Sequence, residues 1–117
     1  MITVITVPDY NDSFSRVVLA GKEYLIRFSY NFSGDYWTFG IFDHNQNPYV
    51  QGIKIVPNSP LNFFLLCHGL PEGLFGALSA KQNIGRNDFK ENHAQFIFFP
   101  KETSVYKGYK QDKIEMR

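Results

Sequence analysis

The sequence predicts an all-β domain, mainly antiparallel, built as a small β-barrel or a two-sheet sandwich of about seven strands with a C-terminal extension. Three observations lead there. The stretch from Tyr24 to Leu61 alternates apolar and polar residues with a period of two over three successive segments. Clusters of Gly, Asn, Asp, Ser and Pro separate those segments at spacings usual for hairpins. No helical stripe of convincing length interrupts them, and neither an internal repeat nor a low-complexity block is present.

Taken in order, Ile2 to Val7 is expected as a first strand ended by Pro8, and Ser13 to Leu19 as a second. Ala20-Gly21-Lys22 suits a tight turn into the third, where Tyr24, Ile26, Phe28 and Tyr30 share one face and Leu25, Arg27 and Ser29 the other. Asn31 to Asp35 supplies turn chemistry, with Gly34 as the residue that tolerates positive φ. Trp37, Phe39 and Ile41 follow on one face, opposite Tyr36, Thr38 and Gly40. After the break at Asp43 to Pro48, Val50 to Val56 resumes the pattern, with Ile53 and Ile55 opposite Gly52 and Lys54. The more apolar faces define the expected core: Ile26, Phe28, Trp37, Phe39, Ile41, Ile53 and Ile55.

Pro57-Asn58-Ser59-Pro60 then stops strand pairing, because proline donates no ladder hydrogen bond. Leu61 to Leu66 is apolar enough for full burial, as a strand or a short helical turn. Leu74 to Ala80 and Gln95 to Phe99 are the remaining strands, and the polar run Lys81 to His93 between them is expected to be an exposed loop. Beyond Pro100 the composition shifts to alternating charge, which divides the chain into a β-domain over 1–100 and a tail over 101–117. The tail reads as an interaction arm, mobile in isolation; a frayed terminus is the plainer alternative.

A chain of 117 residues fits one domain with a real core. Twelve Phe, seven Tyr and one Trp are unusual, since each ring buries roughly 150–250 Å² when packed. Some rings are therefore expected outside, where Tyr and Trp favour interfaces. The expected anchors are Tyr36, Tyr49, Tyr106 and Tyr109. A net charge of +1 gives no electrostatic footprint for nucleic acid or an anionic membrane. No apolar run is long enough to span a bilayer, and the start MITVITVPDYND lacks a charged n-region and a cleavage site. Synthesis in the cytosol without an export signal is expected.

Chemistry is sparse. His44, His68 and His93 are far apart, Cys67 and His68 are adjacent without zinc-ligand spacing, and a single Cys permits no internal disulfide. Asp35, Asp43, Asp88 and Glu91 are expected as solvated turn residues. The glycines form neither a dinucleotide fingerprint nor a phosphate loop. No catalytic residue, cofactor or metal is expected. Aromatics interleaved with Arg27 and Lys54 suggest base stacking, but the basic excess such grooves need is missing. Sugar stacking on an exposed Trp37 or on tyrosines survives that objection, so a carbohydrate-binding module is the rival class, with a small enzyme a weaker third.

The order of features from Ile2 to about Pro100 resembles the small plug proteins at the baseplate of contractile phage tails. The similarity lies in a short first strand, Phe14 opening a second, and a strand pair around Tyr24 to Phe42. The turn Asp43-His44-Asn45 follows, then Gln51-Gly52-Ile53, Ile55-Val56-Pro57 and Leu61. Gly76-Ala77-Leu78, a polar loop with Gly85 and a closing Phe99-Pro100 complete it. The run Leu61 to Gly76 is richer in Phe and Leu than the resemblance leads one to expect, and the tail lies beyond it. The resemblance implies a compact, non-catalytic β-domain on the tail axis at the virion baseplate. Its partners would be other tail proteins (hub, spike or tube initiator), with copies of itself around the axis as a further option.

Overall fold

A computed structural model describes residues 2–59, 61 and 69–101. Seven strands form two sheets: β1 (Thr3–Ile5), β2 (Asp12–Leu19), β3 (Lys22–Asn31), β4 (Tyr36–Phe42), β5 (Pro48–Lys54), β6 (Gly73–Ser79) and β7 (Ala94–Pro100). One sheet has the order β2-β3-β4-β5, the other β1-β7-β6, and every pairing within them is antiparallel. Among the described residues the expected sandwich is present and the barrel alternative is not: the two sheets do not close on one another.

The four-stranded sheet is a meander held in register by its turns. Ala20 (φ 52) and Gly21 (φ 79) both take positive φ, the two-residue turn whose twist matches the flanking strands, so Leu19 pairs directly with Lys22. At the next turn the reason for glycine differs from the expected one. Asp35, not Gly34, adopts positive φ (53), and a Cβ on Gly34 would collide with the Tyr36 ring. Asn31 closes this turn by accepting a hydrogen bond from the Gly34 amide at 2.9 Å. At the third turn Asp43 Oδ1 accepts from the amides of Asn45 and Asn47 at 2.8 and 2.9 Å. The β4–β5 ladder then shifts register, and Gly52 with φ 73 breaks the alternation expected of Val50 to Val56.

The inner faces meet in a cluster of rings. Phe96 of β7 packs against Phe28 and Phe39 with centroids 5.1 and 5.0 Å apart, and Phe75 of β6 lies 5.7 Å from Phe39. Ile26, Phe28, Trp37, Phe39, Ile41 and Ile55 are buried as expected, while Ile53 beside the bulge is half-buried. Segment 55–61 joins the layers. Ile55 donates to Trp37 O (2.8 Å) in one sheet, then Asn58 donates to Ala77 O (2.7 Å) and Leu61 to Phe75 O (3.1 Å) in the other. Pro57 bridges Ala77 in parallel, so this stretch continues pairing where its prolines predict a stop. Leu61 is buried as expected; 62–66 lie outside the described residues.

The run Lys81 to His93 is not simply an exposed loop. Ile84 and Phe89 are buried in the core, with Phe89 edge-on to Trp37 at 5.8 Å. Two apolar residues in a polar stretch carry no period, so a polar average hides them.

Phe39→Ala removes the ring that touches both Phe75 and Phe96, and it should cost about 3–5 kcal/mol in a denaturant melt. A loss below about 1 kcal/mol would mean that β4 presents its other face to the core.

Candidate interaction surface

The two expected tyrosines of the β-domain lie at opposite ends of the sandwich. Tyr36 pairs with Asn31 at the first residue of β4, whereas Tyr49 follows Pro48, which pairs with Phe42 at the last. Seven strand residues at ~3.3 Å each put those ends about 20 Å apart. Tyr106 and Tyr109 lie outside the described residues.

At the Tyr36 end, three loops converge: residues 7–11, the β3–β4 turn, and residues 80–93. Arg86 clamps the last of these to the first. Its Nε donates to Asn11 Oδ1 (2.7 Å), its Nη1 to Asp9 Oδ1 (2.9 Å), and its guanidinium sits 5.5 Å over the Trp37 ring. Hydrogen bonding from Arg86, aided by Lys90, holds the Asp9 carboxyl below its ordinary range despite some desolvation. Asn83 ties the same loop to the β3–β4 turn by donating to Asp35 O at 3.0 Å. Tyr30 donates to Asp35, and that bond pushes the Tyr30 hydroxyl upward. Lys54 lies 4.7 Å over the Tyr36 ring, and Asn31 Nδ2 donates to its hydroxyl at 3.2 Å.

Beneath this surface is a buried carboxylate. Asp88 is buried, contrary to the solvated turn residue expected. Oδ2 accepts from the Gly85 amide (2.6 Å), and Oδ1 from Lys81 Nζ (2.8 Å) and His93 Nδ1 (3.2 Å). All three partners lie within 81–93, so Asp88 closes the loop on itself. Gly85 O in turn accepts from Trp37 Nε1 at 3.0 Å, which fixes the loop to the core. Trp37 is only 1% exposed, so it offers no platform for a sugar ring, and the carbohydrate reading loses its Trp anchor.

The exposed rings at this end are ones the sequence does not single out. Tyr10 and Phe32 are each 67% exposed. Phe32 is braced edge-on against Tyr30 at 4.9 Å, and Asn11, next to Tyr10, accepts from the Tyr30 amide at 2.8 Å. Both rings sit on turns, where no periodicity marks a face. Their only sequence signal is an aromatic residue flanked by Asn, Asp or Ser.

At the other end Tyr49 is half-buried, 6.0 Å from the Tyr24 ring and against Gly69, and Lys22 Nζ donates to its hydroxyl at 3.3 Å. Tyr24 donates to Gly69 O at 2.9 Å, and burial raises its hydroxyl. A cleft of about 580 Å³ of mixed polar and apolar lining opens beside them, with Lys22, Glu72 and Lys101 among its charged residues and Leu70 and Phe98 among its apolar ones. Among the described residues no three His, Cys, Asp or Glu side chains are grouped to hold a metal ion. Cys67 and His68 lie outside those residues.

Desolvation raises the Asp88 carboxyl, but bonds from Lys81, Gly85 and His93 outweigh it and leave it lowered. Its stabilising contribution is therefore complete above the ordinary carboxylate range and fades as pH falls through the lowered folded value. Asp88→Ala should cost about 2–3 kcal/mol near neutral pH and flatten the acid limb of a melting-temperature profile. An unchanged acid limb would show that other carboxylates, such as Asp9 or Asp12, set it.

Comparison with known proteins bears on these surfaces. Residues 1–101 match the family described as cyanophage baseplate Pam3 plug gp18. No curated protein matches the chain.

Proposed function

This chain belongs to the cyanophage baseplate plug family, and from that premise we propose that it seals or adapts the end of the tail tube. Membership carries a structural role in the virion tail baseplate and contact with other baseplate proteins. The observation that carries the proposal is the extent of the match: residues 1–101 take in both sheets, the joining segment and the loop clamped by Arg86. The mechanism is packing at two braced ends. Tyr36 with Tyr10 and Phe32 supplies rigid aromatic anchors at one, and Tyr49 at the other, where a hub, spike or tube-initiating protein would bind. Phe32, Tyr36 and Tyr49, already held by neighbouring side chains, lose little freedom on binding. Copies arranged about the tail axis are compatible with this, and Tyr106 and Tyr109 of the tail would add contacts beyond the family's shared region.

Imaging of particles carrying a tagged copy tests the role. Density on the axis at the tube end, lost when the gene is removed, is the expected result. Density at the baseplate periphery, or closed tube ends without the protein, would overturn it. A Tyr10→Ala, Phe32→Ala double variant should melt within about 1 kcal/mol of the parent, as exposed substitutions usually do, yet enter particles poorly. Normal incorporation would remove these rings from the contact surface.

A further inference from the structure

β2 ends the four-stranded sheet, and among the described residues no strand pairs with its other side. The other edges that these residues form are blunted. β5 opens on Pro48 and its ladder shifts register, β1 has three residues, and β6 is covered by segment 57–61. β2 has eight residues, contains no Pro or Gly, and keeps one unbroken register with β3 from Asp12 to Leu19.

The bonding of that ladder fixes which backbone groups are left over. Leu19 and Lys22 flank a two-residue turn, and Asn11 O accepts from the Tyr30 amide at 2.8 Å. Antiparallel bonding alternates along a strand, so the odd-numbered residues of β2 bond to β3. The N–H and C=O groups of Asp12, Phe14, Arg16 and Val18 therefore point out from the edge. Their side chains lie on the face opposite Ile26 and Phe28, and all four are exposed. On the inner side, Ser13 Oγ is buried without a hydrogen-bond partner among the described residues. The charges along the edge are their own complement: Asp12 and Arg16 stand two residues either side of Phe14.

We propose that β2 pairs antiparallel with β2 of a second copy about a two-fold axis at Phe14, joining the two four-stranded sheets edge to edge. Asp12 of each copy then lies opposite Arg16 of the other, and Phe14 opposite its counterpart. These pairs use the outward backbone groups and form about six hydrogen bonds. Opposite charges facing one another stabilise such a pairing, and like charges oppose it. An axis at Ser15 would set Asp12 against Val18, and one at Arg16 would set two guanidinium groups together, so charge selects the Phe14 register. Asp12 has room for the contact, since among the described residues its Oδ2 accepts only from Arg27 Nη2, at 2.6 Å. The Arg16 side chain is 73% exposed, and Glu23 lies 3.8 Å from it, beyond hydrogen-bonding distance. Phe14 is held edge-on by Phe42 at 5.2 Å, with the Arg27 guanidinium 5.9 Å over its ring, so it loses little freedom on pairing. In the same register Ser15 of the second copy faces Ser13 in a non-hydrogen-bonded pair, the closer of the two spacings, and its hydroxyl supplies the missing partner. A second copy carries this spacing of acid, ring and base by symmetry, and a two-fold contact closes on itself at the dimer. The inference concerns the free protein and stands apart from the baseplate role, which rests on the family match.

Analytical ultracentrifugation of the full-length protein over a concentration series tests it. The expected result is a dimer that dissociates on dilution, with no larger species. Arg16→Asp sets carboxylates opposite one another twice about the axis and should weaken the dimer at least about a hundredfold. Asp12→Lys sets cations together in the same way and should do likewise. Mixing these two variants should restore a dimer containing one of each, because every facing charge pair is then of opposite sign. A parent that is monomeric throughout the series would overturn the proposal. Single variants that stay dimeric would do so as well, since the contact would then lie on another surface. A mixture that stays monomeric would rule out the Phe14 register and the proposal with it. Particle imaging reports on the baseplate role separately, so the two can fail independently.

Discussion

The contact of Phe39 with Phe96, centroids 5.0 Å apart across the two layers, is the constraint on which the rest of the fold depends. Among the described residues, the backbone hydrogen bonds that reach from one sheet to the other come from Ile55, Asn58 and Leu61, so the packing of the sheets rests largely on side chains. Phe28, Phe75 and Phe98 extend the same cluster, most of it in edge or tilted geometry, which suits the ring quadrupole better than face-to-face stacking. A slip of one residue in β4 or β7 would turn these rings outward together. The turns that fix register, at Ala20-Gly21, Asn31–Asp35 and Asp43–Asn47, thus act on the core at a distance.

Strand edges are managed with equal economy. The free side of β6 is taken by segment 57–61, which pairs with Ala77 and Phe75. β1 at the far side of that sheet is three residues long. β2, the longest exposed edge, carries Asp12 and Arg16, with Asp12 held by Arg27 at 2.6 Å. Short, charged or covered edges resist unplanned pairing with another chain. In the proposed baseplate role, contact with other proteins then falls to side chains at the two ends, where it can be specific.

Those ends are braced differently. At the Tyr36 end Arg86 joins its own loop to residues 9–11 above Trp37, Asn83 ties that loop to the β3–β4 turn, and Asp88 holds it from within. At the Tyr49 end the contacts are ring on ring, with Lys22 over both Tyr24 and Tyr49. Tyr10 and Phe32 are exposed at the first end, and Pro100 closes β7 at the second.

How much of this could be read without coordinates differs by region. The two-residue period exposed the strands, an all-β domain of barrel or sandwich form and six of the core side chains from Ile26 to Ile55, because a strand half-buried in a sheet repeats its environment every second residue. The ordered turn residues likewise pointed to the baseplate plug family that the match over 1–101 bears out. What stayed hidden had no period. Gly52 breaks its strand by a bulge, Ile84 and Phe89 enter the core singly from a polar loop, and Asp88 is buried within that loop. Pro57 bridges a strand of the opposite sheet, which no local pattern encodes. The separation of Tyr36 from Tyr49, the burial of Trp37 under Gly85, and the grouping of Tyr10 with Phe32 likewise depend on which turns share an end of the sandwich. Local alternation therefore determined which residues face inward along each strand. Only the packing of one sheet on the other decided which loops meet, because those contacts join residues up to 77 positions apart.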